Sequence, residues 1–158
     1  MLRLSSAGAG VAIDLPDGWD GTITQREPDP GLSDIERAST PSLALLHAAS
    51  FSLPSDTSDF GGGAVEVMRF GDVFIALFEY GRESVGTALF WSPRPARLAV
   101  GDFDENMLQH NLPGQSGTQQ FFTESGRAFC LYVVLGSHLN RARAVPLVNS
   151  VLPSITVI

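Results

Sequence analysis

The run from Asp102 to Asn106 has the spacing in this chain that comes nearest to a metal site. Asp102, Asp104 and Asn106 alternate along it, as in the D-x-D-x-N start of a calcium loop. Such a loop also needs a glycine and a bidentate glutamate further on, and Met107 and Pro113 occupy those places. We therefore predict a surface turn and no cofactor, with a weak divalent-ion contact at this turn as the alternative.

Histidine and cysteine give no stronger indication of chemistry. His47, His110 and His138 lie far apart, with no second ligand at the spacing of a zinc site. Cys130 lies within Phe-Cys-Leu-Tyr-Val-Val, which is typical of a buried, unreactive thiol. The sequence also lacks a nucleophile elbow, a dinucleotide-binding loop and a phosphate loop. A catalytic site would have to be assembled by the fold.

Tryptophan and arginine around residue 91 form the best candidate contact surface. The run Trp91-Ser92-Pro93-Arg94-Pro95-Ala96-Arg97 combines an aromatic anchor and two guanidinium groups with an extended backbone that loses little entropy on binding. Trp91, Arg94 and Arg97 are therefore predicted to bind a partner. Trp19 also lies beside a turn, and the alternative for both tryptophans is that each closes one end of a sheet.

Charge and composition make nucleic acid an unexpected partner. The net charge is −7, and all ten basic residues are arginines scattered along the chain. Nucleic-acid binding requires a concentrated basic face, which this distribution does not indicate. The complete absence of lysine, whose codons are AT-rich, indicates a bacterial genome of high GC content.

Length and hydropathy predict one domain covering residues 1–158. No stretch approaches the roughly 20 apolar residues of a membrane span, and a single cysteine excludes an internal disulfide. The first residues have no uninterrupted apolar core of a signal peptide. We expect a cytoplasmic protein, with an exported mature domain as the alternative.

The N-terminal half is predicted to consist mainly of strands and loops. Two strands around a turn are predicted, at Val11–Leu15 and Gly21–Gln25. Leu43–Leu53 fits either a helix or a strand, and its neighbours favour a strand that ends at Pro54. Ser55–Gly63 is rich in Ser, Asp and Gly, which predicts an exposed, mobile loop.

Two hairpins and one short strand are predicted in the middle of the chain. In the first hairpin, Gly71-Asp72 links Ala64–Phe70 to Val73–Tyr80. A short strand is expected near Leu98–Val100. The second hairpin joins residues 118–123 to residues 128–135, and its second strand is apolar on both faces, which predicts that it lies in the centre of the sheet.

The C-terminus is predicted to be a helix followed by a strand. Ser137 is a candidate N-cap. Pro146 either kinks the helix or marks its first turn, the helix then beginning at Val145, and Pro153 ends it before a terminal strand. The residues expected on one apolar helix face are Leu139, Ala142, Val148, Val151 and Leu152. The fold class is therefore α+β, with a central, largely antiparallel twisted sheet flanked by helices.

The two ends of the chain resemble those of PsbP-like domains. The resemblance rests on Val11-Ala12-Ile13-Asp14-Leu15-Pro16-Asp17-Gly18-Trp19 and on Val151-Leu152-Pro153-Ser154-Ile155-Thr156-Val157. This group includes the extrinsic photosystem II subunit, Ran-binding relatives and small bacterial proteins. The resemblance implies an antiparallel sheet between helices and a role in binding rather than catalysis, and it transfers no site residues.

Three classes of function follow from these observations. The first is a non-enzymatic protein-binding or assembly module, favoured by the missing catalytic motifs and the PsbP-like pattern. The second is an accessory subunit of a homo-oligomer. The third is an enzyme whose site is assembled near Asp102, Asp104 and His110.

Overall fold

The computed structural model describes residues 1–27, 31, 33–39 and 42–158. In these residues the chain forms mostly antiparallel strands with few helices. The strands are β1 (Leu2–Ser6), β2 (Val11–Leu15), β3 (Asp20–Arg26), β4 (Leu43–Ala49), β5 (Val73–Tyr80), β6 (Ser116–Glu124), β7 (Arg127–Leu135) and β8 (Thr156–Val157). The helices are α1 (Asp34–Ser39) and α2 (Arg141–Val151), together with several 3-10 turns.

The strands form two antiparallel sheets. The larger has the order β3-β4-β5-β7-β6, and the smaller has the order β1-β2-β8. In the larger sheet β5 pairs with β7 from Val73 opposite Leu135 to Tyr80 opposite Ala128. The predicted antiparallel sheet is confirmed. β7 pairs with a strand on each side, but the central strand is β5 rather than β7 as predicted, because only β6 lies beyond β7.

The main core lies between one face of the larger sheet, α2 and the smaller sheet. Alternate residues of β5 and β7 point into it, among them Ile75 and Val133, which are fully buried. Val148 on α2 and Ile13 on β2 close the core from the other side. The smaller sheet and α2 are thus held to the larger sheet by burial of apolar area.

The opposite face of the larger sheet is covered without a long helix. Phe74, Tyr132 and Val134 lie on this face and are fully buried, because the irregular segments around Phe60 and Leu112 pack over them. β5 and β7 are therefore apolar on both faces. This arrangement corrects the prediction of a sheet flanked by helices, since α2 is the only long helix in the described residues.

Two N-terminal predictions are confirmed, and one strand lies where none is predicted. β2 and β3 match the predicted strands, and Trp19 N–H bonds to the Pro16 carbonyl at 3.1 Å in the turn between them. β1 precedes β2 and pairs with it from Leu2 opposite Leu15 onward. β1 has few apolar residues and therefore no strong local signal for a strand. Its pairing with β2 holds it in place.

The second predicted hairpin is confirmed. β6 and β7 pair along their whole length, ending with Glu124 opposite Arg127. Ser125 and Gly126 form the two-residue link, and both have positive φ angles of 53° and 70°. This backbone suits a type I′ turn, whose twist matches that of the strands.

The first predicted hairpin is wrong, because residues 64–70 do not form a strand. β5 already pairs with β4 on one side and β7 on the other, so neither of its edges is free. A 3-10 turn at Val65–Val67 buries Val65 instead. Arg69 N–H donates to the Asp72 carboxylate at 2.8 Å, which closes a compact turn before β5.

The predicted strand near Leu98–Val100 is also wrong. Leu98 is buried in the main core, where its backbone N–H and C=O both bond to the Asn149 amide at 2.8 Å. A 3-10 turn then begins at Val100. These bonds to α2 replace the strand ladder, and no local pattern indicates so distant a partner.

The segment between β4 and β5 packs more closely than its composition indicates. β4 is a strand, as favoured, but it ends at Ala49 rather than at Pro54. Phe60 stacks on Phe78 with 4.8 Å between ring centroids. Gly61 is buried with φ of +88°, and a Cβ there would lie 2.7 Å from the Phe74 ring. Glycine therefore allows close packing here, so the predicted exposed loop is a loop with mostly exposed residues that is buried at Gly61.

The C-terminal helix and terminal strand are confirmed, with changes in detail. α2 follows a 3-10 turn at His138–Asn140 and contains Pro146 in its interior, so the alternative start at Val145 is wrong. Ser137 precedes the 3-10 turn and makes no side-chain capping bond there. Val148, Val151 and Leu152 are buried as predicted. Leu139 is exposed because it precedes α2, and Ala142 is exposed because it lies on the outward side of the helix.

Candidate functional site

Trp91 stands exposed at a corner beside the β6–β7 hairpin. Its exposed fraction is 79%, and that of nearby Leu89 is 59%. Between them Phe90 is buried, at the end of a 3-10 turn over Ala88–Phe90. Phe90 therefore fixes the turn to the body of the protein, while its two neighbours present apolar surface to solvent.

The Trp91 corner is held against the end of β6 by hydrogen bonds to Thr123. Thr123 N–H donates to the Ser92 carbonyl at 3.1 Å, and its hydroxyl donates to the Phe90 carbonyl at 2.7 Å. Gly86 N–H donates in turn to the Thr123 hydroxyl at 3.2 Å. These bonds fix the position of the Trp91 corner on the sheet.

The other two predicted contact residues differ from each other in their surroundings. Arg94 is half-buried and donates to both carboxylate oxygens of Glu124, at 2.9 and 3.1 Å, and to the Ile155 carbonyl at 2.9 Å. Its guanidinium thus links the connector to the hairpin and to the C-terminus. Arg97 is exposed. Trp91 and Arg97 are therefore exposed, whereas Arg94 is held by hydrogen bonds within the protein.

A series of aromatic rings lies on the larger sheet behind Trp91. Phe90 contacts Tyr80 and Phe121, with centroid distances of 5.0 and 5.6 Å. Tyr80 contacts Phe78 at 5.0 Å, and the Arg26 guanidinium lies 3.7 Å from the centre of the Phe78 ring. Phe78, Tyr80 and Phe121 are only half-buried. This sheet face therefore offers aromatic surface next to the corner.

Trp19 has a different environment from Trp91. It is half-buried and packs against the main core near the turn that joins β2 to β3. The expectation that a tryptophan closes one end of the sheet thus describes Trp19, whereas Trp91 points to solvent. The sequence alone does not separate the two.

The candidate catalytic residues Asp102, Asp104 and His110 do not form a group. The Asp102 carboxylate accepts from Ala99 N–H at 2.7 Å, and that of Asp104 accepts from Asn106 N–H at 2.7 Å. These bonds shape local turns, as predicted for this segment. His110 lines a shallow hollow of about 350 Å³ together with Ser58 and Gln109. Among the described residues no cluster of His, Cys, Asp or Glu could hold a metal ion.

A hydroxyl, an imidazole and a carboxylate do meet elsewhere, at a place that no sequence motif marks. Ser116 Oγ lies 2.9 Å from His138 Nδ1, and Glu105 Oε1 lies 3.9 Å from His138 Nε2. Ser116 is completely buried, so its oxygen cannot meet a substrate. The contact therefore joins the 3-10 turn at His138 to β6 and does not build a nucleophile.

Cys130 and His47 are buried titratable groups on the aromatic face. Burial raises the pKa of the Cys130 thiol to about 12, which keeps it protonated and unreactive. Burial also lowers the pKa of His47, whose Nε2 lies 2.9 Å from the Asp59 carbonyl. A carbonyl only accepts, so the neutral His47 carries its proton on Nε2. Both groups serve packing and hydrogen bonding in the fold.

The chain matches none of the protein-family models, curated proteins or solved structures with which it was compared. Within its described residues, no helix combines the length and the apolar character needed to cross a membrane.

Proposed function

We propose that this protein is a non-enzymatic binding module that captures a protein partner through the corner formed by Leu89 and Trp91. The observation that carries the proposal is an indole that is 79% exposed on a turn anchored by the buried Phe90. Exposed aromatic residues on rigid supports are typical centres of protein interfaces. Arg97 adds an exposed cation close in sequence.

The proposal includes a PsbP-like relationship for the chain. What supports it is the combination of a long antiparallel sheet, an N-terminal hairpin and a C-terminal helix followed by a short terminal strand. Helices on both sides of the sheet would agree better with that group than the single long helix among the described residues. The homo-oligomeric subunit is the alternative proposal, and a strictly monomeric mass in solution would count against it.

The test is capture of partners from a lysate of the source organism by the tagged protein, with identification by mass spectrometry. The Trp91→Ala variant should lose a stoichiometric partner, because it removes the exposed indole and leaves Phe90 in place. Arg94→Ala is unsuitable as the paired change, since it breaks the bonds to Glu124 and Ile155.

Leu139→Ala provides the matched control. Leu139 is 90% exposed on the 3-10 turn before α2, so its truncation also removes exposed apolar surface, but from a different element. We expect this variant to retain the partner. Equal capture by the wild type and the Trp91→Ala variant would refute the assignment of the surface.

A further inference from the structure

The outer edge of β6 has an opening between two covered ends. β6 is the last strand of the larger sheet, so one of its sides faces away from β7. At one end Asp104 and Gly117 exchange both backbone hydrogen bonds, at 2.9 and 3.0 Å. At the other end Thr123 N–H donates to the Ser92 carbonyl at 3.1 Å. Between these contacts no described residue pairs with the edge.

Gln119 and Phe121 present the unpaired backbone groups of this opening. Residues of an antiparallel strand alternate between bonding to one neighbour and pointing to the other side. Gly117 and Thr123 bond outward, so Gln119 and Phe121, which share their alternation, also direct N–H and C=O away from β7. In the described part of the chain these outward groups have no hydrogen-bond partner.

The length of the opening determines what fits it. Gly117 and Thr123 are six positions apart in β6, which corresponds to about 20 Å of strand. Asp104 and Ser92 already occupy the places that an added strand would take at the two ends. A second copy of the nine-residue β6 therefore cannot pair here without displacing them. The opening accommodates an extended segment of about three residues.

The side chains around the opening define the chemistry of that segment. Phe121 is half-buried and contacts Phe90 and Tyr80, so it offers an aromatic edge to an apolar side chain. At the other end stand the carboxylates of Asp104 and Glu105, and Glu105 is 57% exposed. These carboxylates, in a chain of net charge −7, favour a basic residue.

We propose that the opening binds a short extended peptide as an added strand, with an apolar residue opposite Phe121 and a basic residue at the Asp104 end. This mode of recognition uses backbone hydrogen bonds for affinity and alternate side chains for specificity. The proposal rests on the binding function proposed above and names the partner's chemistry, since Ser92 follows Trp91 directly and the opening begins beside it.

Amide hydrogen exchange followed by NMR tests the proposal on the wild-type protein. The probe is the synthetic peptide acetyl-Val-Thr-Arg-amide at millimolar concentration, and the control peptide has proline in place of valine. We expect the probe to slow exchange at the Gln119 and Phe121 amides by about tenfold or more, and the control to have no effect. Unchanged exchange at both amides would overturn the proposal.

Two variants of Gln119 distinguish the contribution of its backbone N–H to peptide binding from that of its side chain. Gln119→Pro removes an N–H that points away from β7, so the pairing with β7 is kept. Gln119→Ala removes only the side-chain bond to the Met107 carbonyl, at 3.2 Å. Peptide affinity should fall about tenfold for the proline variant and stay near the wild-type value for the alanine variant. Equal affinities would contradict the proposal, and if the proline variant does not fold, the exchange measurement decides.

The outcomes also distinguish this inference from the proposed function. If Trp91→Ala loses capture from the lysate and the peptide protects no amide, the proposed binding function stands and the peptide site at the β6 edge is refuted. If the peptide protects the amides and Trp91→Ala captures its partner unchanged, the peptide site at the β6 edge stands and the proposed contact surface at the Trp91 corner is refuted. Protection that needs no peptide and grows with protein concentration would assign the edge to a second copy and overturn the inference.

Discussion

Arg127 connects parts of the chain that are far apart in sequence. Its guanidinium donates to both carboxylate oxygens of Glu79, at 2.7 and 3.0 Å. It also donates to the carbonyls of Ala9, Gly10 and Ile158, at 2.7 to 3.2 Å. One side chain thus joins β5 of the larger sheet to the β1–β2 turn and to the residue after β8.

Removal of this guanidinium should destabilise the fold strongly. The Arg127→Leu variant leaves Glu79, which is 7% exposed, as a charge without its cation. We expect a loss of about 3–5 kcal/mol in the free energy of unfolding, measured by guanidinium denaturation. The Glu79→Leu, Arg127→Leu double variant should lose less than the sum of the single changes. A loss below about 1 kcal/mol for Arg127→Leu would contradict this role.

His47 should make stability depend on pH in a defined direction. Its pKa is lowered by burial in the fold, whereas the unfolded chain titrates near the ordinary value of about 6.5. As the pH falls below that value, the unfolded state binds a proton that the folded state does not, and stability decreases. Stability is therefore fully present above about pH 7 and is lost as the pH falls toward the lowered pKa.

The His47→Gln variant tests this dependence because it keeps a donor for the Asp59 carbonyl. Chemical denaturation at pH 7 and pH 5 should show a smaller loss of stability for the variant than for the wild type. The same loss in both proteins would show that other groups account for the acid sensitivity.

The β6–β7 hairpin closes through the two-residue turn Ser125-Gly126. Gly126 has a φ of +70°, in the left-handed region that an L-residue enters at a cost of about 1–2 kcal/mol. Gly126→Ala should therefore reduce the free energy of unfolding by about 1 kcal/mol. Ser125→Asn should preserve or raise it, since Asn-Gly is favoured in this turn. Urea denaturation measures both changes, and a neutral Gly126→Ala would contradict the assigned turn.

At the scale of elements, local signals are sufficient to predict the strands that are bounded by turns. Alternation predicts β2, whereas apolar or β-branched runs with flanking turn residues predict β3, β5, β6 and β7 from the sequence alone. The segments for which the prediction is wrong depend on remote partners: Leu98 bonds to Asn149 of α2, and Val65 accepts from the Gln115 amide. Such bonds span about fifty positions, which periodicity cannot detect.

The candidate site is predictable in part for the same reason. The composition of the Trp91 segment indicates a contact surface, and Trp91 is exposed. Its neighbour Leu89 has no such local signal, because the 3-10 turn that exposes both residues depends on contacts to Thr123. The pairing of Arg94 with Glu124 also cannot be predicted from the sequence, since it follows from the position of β6.

At the scale of the whole molecule, the parts of the proposed contact surface lie on one side of the larger sheet. The edge of β6, the half-buried aromatic rings and the Trp91 corner all lie toward this side of the larger sheet. The main core and α2 pack against the sheet's other face. The proposed surface is therefore separate from the main core contacts of the described residues.

The most direct test of the Trp91 surface follows the fluorescence of this residue during binding. The chain has two tryptophans, so the Trp19→Phe variant leaves Trp91 as the single indole. Titration with the captured partner should shift its emission to shorter wavelength and protect it from acrylamide quenching, because the indole leaves water. Complex formation with unchanged emission and quenching would show that the partner binds elsewhere, and would contradict the proposed function of this surface.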